Sequence, residues 1–341
     1  MTDTKTDTPF DNACARLSRR SLLAAGLGAA AGFHGAARAQ QAPAPSELPL
    51  RIVVPLTAGG PADVLARVVA DELRGHTNAA VLVDNKPGAG TSIGAGFVAR
   101  AEPDGNTLLI ATAAHIMSAP MLPLRYHPVD DFAAIAEVAY QPFVLSVLAD
   151  DPIRDFAGFL AEARRKPGGI SLGTAGIGNA SHLAGLMLER ESHTSFLYVP
   201  YGGSSQLQGA MLGGQVRGSF LNPTVAAPMI QAGKLRGIAV TGKTRWRQTP
   251  DVPTLVELGF PDYECIAWYG IVGPKGMSAA KVNQLYGDIR TGLAKPANRK
   301  ILADAGLDPM DVPPAQFAAF LGAEYKKWSQ VIEAAGLAKK S

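Results

Sequence analysis

From Leu50 onward the chain alternates short β-rich runs with helical ones, and most strand-to-helix junctions are built from glycine and small polar residues. Such alternation commits a chain to α/β lobes with largely parallel sheets, because each helix must cross back over the strand it follows. Strands are expected over 50–55, 80–84, 107–112, 143–149, 170–174, 196–201, 216–221, 235–241 and 265–272. Helices are expected over 62–73, 92–101, 156–165, 181–191, 205–212 and 224–232. In the first of these, Val64, Leu65, Val68 and Leu73 share one face. From Ala279 to Leu337 the pattern reads as helices only.

The 341 residues exceed what one hydrophobic core comfortably serves. Two strands, over 143–149 and 265–272, are placed to cross between two lobes. The expected division is residues 49–146 plus 265–341 in one lobe and 147–264 in the other. Ligand would then sit in the cleft, and the two crossing strands would absorb the dihedral changes of closure. Trp268 and Tyr269 on the second crossing fill either a lobe core or a cleft wall, the core being the default.

The first forty residues read as an address. Arg19 and Arg20 precede a short, weakly apolar run of Ala, Gly and Leu, and Ala37-Arg38-Ala39 offers small residues where a signal peptidase cuts. The arginine pair before a weakly hydrophobic segment points to a twin-arginine signal peptide over 1–39, cleaved after Ala39, with residues 40–48 as a linker. The apolar run is too short to span a membrane, so the mature chain is expected to be periplasmic without direct membrane insertion. Residues 1–39 hold five of the 32 basic and three of the 29 acidic residues, leaving a net charge of +1 on the remainder. Such a balance gives no reason to expect nucleic acid as a partner. Cys265 is the single cysteine after the leader and reads as a small buried hydrophobe; no metal site is expected, and no cofactor.

In open α/β sheets, ligands bind beyond the carboxyl ends of strands. Four junctions there are rich in small residues. The first runs from Pro55 through Thr57, Ala58, Gly59 and Gly60 to Asp63; the second is Thr112, Ala113, Ala114 and His115. The third runs from Thr174 through Ala175, Gly176, Gly178 and Asn179 to Ser181 and His182; the fourth holds Tyr201, Gly202, Gly203 and Ser204. Glycine lets backbone N–H groups approach a ligand, and a helix start adds unpaired donors and a positive dipole end, which together favour an anion. Each junction alone is equally an ordinary helix start, with Thr57 or Asp63 capping 62–73 and Ser181 capping its own helix. Their recurrence favours a cleft. His115 and His182 serve there either as ligand donors or as solvated or capping groups.

Enzyme motifs are sparse. Gly90-Thr91-Ser92-Ile93-Gly94 matches a hydrolase nucleophile elbow with Ser92 as the nucleophile, but nothing in the sequence positions a base beside it, and a helix start accounts for it better. Gly94-Ala95-Gly96 falls inside a helix, where it cannot cradle a pyrophosphate. No Walker loop or zinc-protease motif occurs. The chain is therefore read as non-enzymatic.

The residues also carry a family resemblance across essentially the whole mature chain. The stretches RIVVPLTAGGPAD from Arg51, VDNKPGAGTSIGAGFVA from Val83, PDGNTLL from Pro103, VPYGGS from Val199, AGKLRGIAVT from Ala232 and WYGIVGPKG from Trp268 resemble the receptors of tripartite tricarboxylate transporters, the Bug family. The resemblance implies a two-lobed, Venus-flytrap fold and a small organic carboxylate held by loop amides. It also implies a membrane transporter of that type as partner; the receptor itself is expected to be monomeric. A ligand sensor for a signalling partner is the related alternative. Carried onto this chain, the implied site takes in the four junctions and Asn222 at a further strand end. Relatives often place a lysine after the Pro-Tyr pair; here it is Gly202, which argues against a doubly charged ligand.

Overall fold

A computed structural model describes residues 48–339. The expected signal peptide over 1–39 lies outside the described residues, as does the linker up to residue 47.

The first sheet has six strands in the order β11-β4-β10-β3-β1-β2: β1 (Leu50–Val54), β2 (Val81–Asn85), β3 (Thr107–Thr112), β4 (Phe132–Pro142), β10 (Ile266–Pro274) and β11 (Asp308–Val312). The second has five in the order β7-β6-β8-β5-β9: β5 (Val144–Leu148), β6 (Ser171–Thr174), β7 (Leu197–Pro200), β8 (Gly218–Leu221) and β9 (Leu235–Val240). Ten helices accompany them among the described residues: α1 (Pro61–Leu73), α2 (Ser92–Ala99), α3 (Ala113–Met117), α4 (Phe156–Arg165), α5 (Ala180–Ser192), α6 (Ser204–Leu212), α7 (Pro223–Gln231), α8 (Ala279–Ala294), α9 (Pro296–Asp304) and α10 (Pro314–Ala334).

The expected α/β alternation is present, with two corrections. The sheets are mixed rather than largely parallel. β1 pairs in parallel with β2 and β3, and β6 with β7 and β8. The other pairings, through β10, β4, β11, β5 and β9, are antiparallel. A strand that enters a sheet from the opposite lobe arrives without a crossover helix and so has no constraint to run parallel. The C-terminal region is also not helical throughout, because β11 intervenes as an edge strand on β4.

The chain leaves the first sheet at Pro142 and joins the second at Val144, so the change falls at Phe143 rather than at 146/147; β5 pairs wholly with β8 and β9. The return runs from the end of β9 to the start of β10. One residue ties both crossings. Thr241, fully buried, accepts from Phe143 N through Oγ1 at 2.7 Å, and its hydroxyl lies 2.6 Å from Cys265 O and 3.2 Å from Phe143 O. Its own amide donates to Phe143 O at 3.0 Å.

A hydrophobic cluster including Leu109, Leu145, Leu172, Trp268 and Trp328 joins residues of both sheets and of α10. Trp268 and Tyr269 are buried in it and in its neighbour, so both are core residues. Cys265 is fully buried, and burial pushes its thiol pKa up.

Candidate ligand-binding cleft

The loops that follow β1, β2, β3 and β6 meet around a cleft of about 580 Å³. From the first sheet come Pro55, Leu56 and Thr57, then Pro87, Gly88, Gly90 and Thr91, then Ala114, Met117, Ser118, Met121 and Leu122. From the second sheet come residues 175–180, including Gly176, Ile177 and Asn179. A smaller cavity shares Ala175 and Asn179 with it and is lined by Phe143, Ser181, Ser204 and Asn222.

Of the expected site residues, Thr57, Ala175, Gly176, Gly178 and Asn179 line the cleft. Ser181, Ser204 and Asn222 line the smaller cavity. Ala58, Gly59, Gly60, Asp63, Thr112, Ala113, His115, Thr174, Tyr201, Gly202 and Gly203 line neither.

Several loop amides on both sides of this division are bonded within the loops themselves. Gly60 is the N-cap of α1 without a side-chain bond, and neither Thr57 nor Asp63 occupies that position. Asp63, three residues into the helix, reaches back to accept from Gly59 N at 3.0 Å, much as a capping box does. Its carboxylate also accepts from Arg67 Nε at 3.0 Å and Asn85 Nδ2 at 3.1 Å. Burial pulls the Asp63 pKa up, but these bonds outweigh it and hold the carboxyl below its usual value. Asp63 thus braces the β1 and β2 loops.

In the second sheet Asn179, not Ser181, caps α5, and its Oδ1 accepts from Ser181 N at 3.0 Å. Ser181 Oγ accepts from Ala175 N at 3.1 Å, His182 Nδ1 from Gly178 N at 3.0 Å, and Gln206 Oε1 from Gly202 N at 2.9 Å. Tyr201 N donates to Thr174 O at 2.9 Å. These bonds fix the loops to the helices that follow them.

Neither expected histidine faces the cleft. His115 is buried, with Nε2 2.8 Å from Pro128 O and its ring between Tyr126 and Phe132. Burial pushes its pKa down to about 4, so the ring is neutral at physiological pH. His182 packs edge-on against Tyr198 at 4.6 Å.

Two groups of lining residues were outside the expected site. Pro87, Gly88, Gly90 and Thr91 follow β2 in a glycine-rich junction that the strand-end rule covers as well as it covers the other four; the match to a hydrolase elbow drew attention to Ser92 instead. Ser92 lies at the start of α2 and faces a separate surface pocket beside Arg100 and Arg125. Met117, Ser118, Met121 and Leu122 follow from α3 and the short turn at Ala119–Met121, where the sequence offers no clear periodicity.

Known proteins share this architecture. The structure resembles that of the periplasmic binding protein BugD, 33% identical, with a TM-score of 0.69 and coverage of 86% of this chain and 99% of that one. MatC from Rhodopseudomonas palustris, solved with bound malate, is 28% identical with a TM-score of 0.69, covering 84% and 99%. An R. palustris protein solved with adipate is 29% identical with a TM-score of 0.71, covering 85% and 98%. In sequence, the UPF0065 protein of the gbd 5′ region of Cupriavidus necator is 34% identical over 95% of this chain and 99% of its own length.

Two sheets joined by two crossings, with strand-end loops of both around one cleft, define a two-lobed solute-binding protein of the periplasmic type. Residues 65–337 match the family model described as "Tripartite tricarboxylate transporter family receptor". The chain belongs to that family, which includes the Bug proteins. Among the described residues no helix is long and apolar enough to cross a membrane.

Proposed function

We propose that this chain is an exported, monomeric periplasmic receptor. It closes the lobe built on β1–β4, β10 and β11 against the lobe built on β5–β9 on a small organic carboxylate and delivers it to a membrane transporter of the tripartite tricarboxylate type. The observation that carries this reading is the cleft itself, bounded by glycine-rich strand ends of both sheets. Family relatives were solved with malate and adipate, and the leader at 1–39 provides the export route. The receptor works by capture and release rather than bond chemistry.

A thermal-shift screen of organic acids tests the reading. A ligand at 100 times its Kd stabilises the folded state by ~2.7 kcal/mol. Gly59 at φ +86° and Gly176 at φ +127° hold backbone conformations that a branched residue resists. Gly176→Val, in the cleft lining, is expected to remove the ligand shift while leaving a cooperative melt, and an undiminished shift would refute a loop-built site. Ser92→Ala is expected to keep the full shift, in a protein without esterase turnover.

A further inference from the structure

Resting on the transporter reading above, we infer that the exposed face of α2 is the surface by which the receptor docks its membrane partner, and that the partner presents there an acidic side chain beside an apolar contact.

The first observation is an apolar face left in water. Ile93 and Phe97 stand one helical turn apart on α2 and are 54% and 37% exposed. Arg51 and Leu82 are register partners on β1 and β2, so their side chains share one face of the sheet. The Arg51 guanidinium lies 5.7 Å from the centre of the Phe97 ring, which puts Leu82, 46% exposed, on the α2 side as well. Large apolar residues gathered in one patch mark a contact surface, whereas scattered ones carry no such meaning.

The second observation is charge without a partner. Beside Ile93 a pocket of about 320 Å³ opens between α2 and residues 123–126. Ser92, Arg100, Arg125 and Tyr126 line it and, among the described residues, no acidic one does. Arg100 turns back along the helix, since a Cβ on Gly96 would lie 3.3 Å from its Nη1 and 3.4 Å from Tyr126 Cε1. Neither arginine has a hydrogen bond or ion pair among the described residues. By contrast, Arg51 and Lys86 on the same patch are held by Asp84 at 3.0 and 3.2 Å. Free guanidinium groups in a recess suit an incoming carboxylate, which they can grip through paired N–H donors.

The third observation is position. Ile93 packs against the cleft wall: a Cβ on Gly88, which lines the cleft, would meet Ile93 Cδ1 at 2.6 Å. A partner seated on Ile93 and in the arginine pocket therefore sits at the rim of the cleft, where a ligand has to leave. A protein surface fits better than a lipid one. Recruitment to a membrane by charge uses clusters of roughly four to eight Lys/Arg, far more than the unpaired cations here. Arginine beside exposed aromatic and aliphatic side chains is instead the composition of a protein–protein contact.

The test measures binding of the mature receptor to nanodiscs that hold the membrane subunits of a tripartite tricarboxylate transporter from the same cell, with malate or adipate present and absent. Wild type is expected to bind, and more weakly as salt is raised. The Arg100→Glu/Arg125→Glu variant is expected to bind at least ~10-fold more weakly, and Ile93→Ser to weaken binding by a smaller factor, each with an unchanged melt in the absence of nanodiscs. Arg164→Glu/Arg299→Glu makes the same change of charge on α4 and α9, away from the patch, and is expected to bind as wild type does. Wild-type binding by both patch variants overturns the inference while leaving the transporter reading standing, and so does an equal loss in the α4/α9 variant. Equal binding to nanodiscs of phosphatidylglycerol and phosphatidylethanolamine alone assigns the face to lipid and overturns it. A dimer seen by sedimentation and abolished by the arginine changes assigns the face to a second copy and overturns it too. Failure of the wild-type receptor to bind the membrane subunits under any of these conditions overturns the transporter reading itself.

Discussion

Among the described residues, Glu137 is a carboxylate that burial pushes well above its usual pKa. It sits on β4 with 3% of its surface exposed, and Oε1 has no partner. Burial, with the Glu264 and Glu324 carboxylates nearby, raises its pKa to about 7. The folded state therefore holds a proton that the unfolded chain releases near 4.5, and the group's contribution to stability is full below 4.5 and lost as pH rises through 7. Glu137→Gln removes the buried charge. It is expected to be near neutral at pH 4.5 and to stabilise by about 2–3 kcal/mol at pH 8, read from urea unfolding at the two values. An equal effect at both would show that ionisation is not the cause. The neighbouring Glu324 has partners that Glu137 lacks: its Oε2 accepts from Trp328 Nε1 at 2.9 Å and Trp268 Nε1 at 3.3 Å, with Lys327 as its ion partner. Roles at this scale were only partly readable from the sequence. Asp63 stood in the right loop, but its partners Arg67 and Asn85 come from α1 and from the end of β2, so its bracing role appears only when those elements meet.

At the scale of elements, the strands with a clear β signature lie within a few residues of where the sequence places them, and two strands have no such signature. β4 reads FAAIAEVAYQP, rich in alanine and holding a glutamate, a composition that favours helix as much as strand. It is buried for much of its length between β10 and β11, so no alternation of polar and apolar residues marks it. β11 reads DPMDV and is tolerated because an edge strand can hold Pro309 without breaking a ladder. The docking of α10 on β10 yields a sharp expectation. A Cβ at Gly270 would lie 2.1 Å from Phe317 Cζ and 2.9 Å from the Ala136 carbonyl oxygen. A ring can turn aside but the carbonyl cannot, so Gly270→Ala is expected to destabilise by roughly 1–3 kcal/mol, seen as a lower Tm at unchanged ligand affinity. A variant as stable as wild type would mean that α10 docks more loosely than this contact requires.

For the whole molecule, the two crossings are not independent connectors, because Thr241 bonds Phe143 on the outgoing one and Cys265 on the return. Thr241→Val keeps the shape but leaves the buried Phe143 amide and Cys265 carbonyl short of a partner. A loss of about 1–3 kcal/mol is expected from such unsatisfied groups, measured by denaturant melts. Under the proposed closure, the same variant should also change the ligand-induced decrease in radius of gyration seen by small-angle scattering. A variant indistinguishable from wild type in both would show that Thr241 is not the shared tie.

The sequence by itself determined the α/β alternation, the glycine-rich strand ends, the two crossings and the family, because these depend on local periodicity, turn chemistry and ordered motifs. It also located the loops that bring Thr57, Gly176 and Asn179 to the cleft. Only the tertiary structure decided which loop amides are spent on neighbours, that His115 and His182 turn inward, and that the β2 loop brings Gly88, Gly90 and Thr91 to the cleft. Those outcomes depend on contacts between residues far apart in the chain, and a hydrogen bond once made within a loop is no longer available to what enters the cleft.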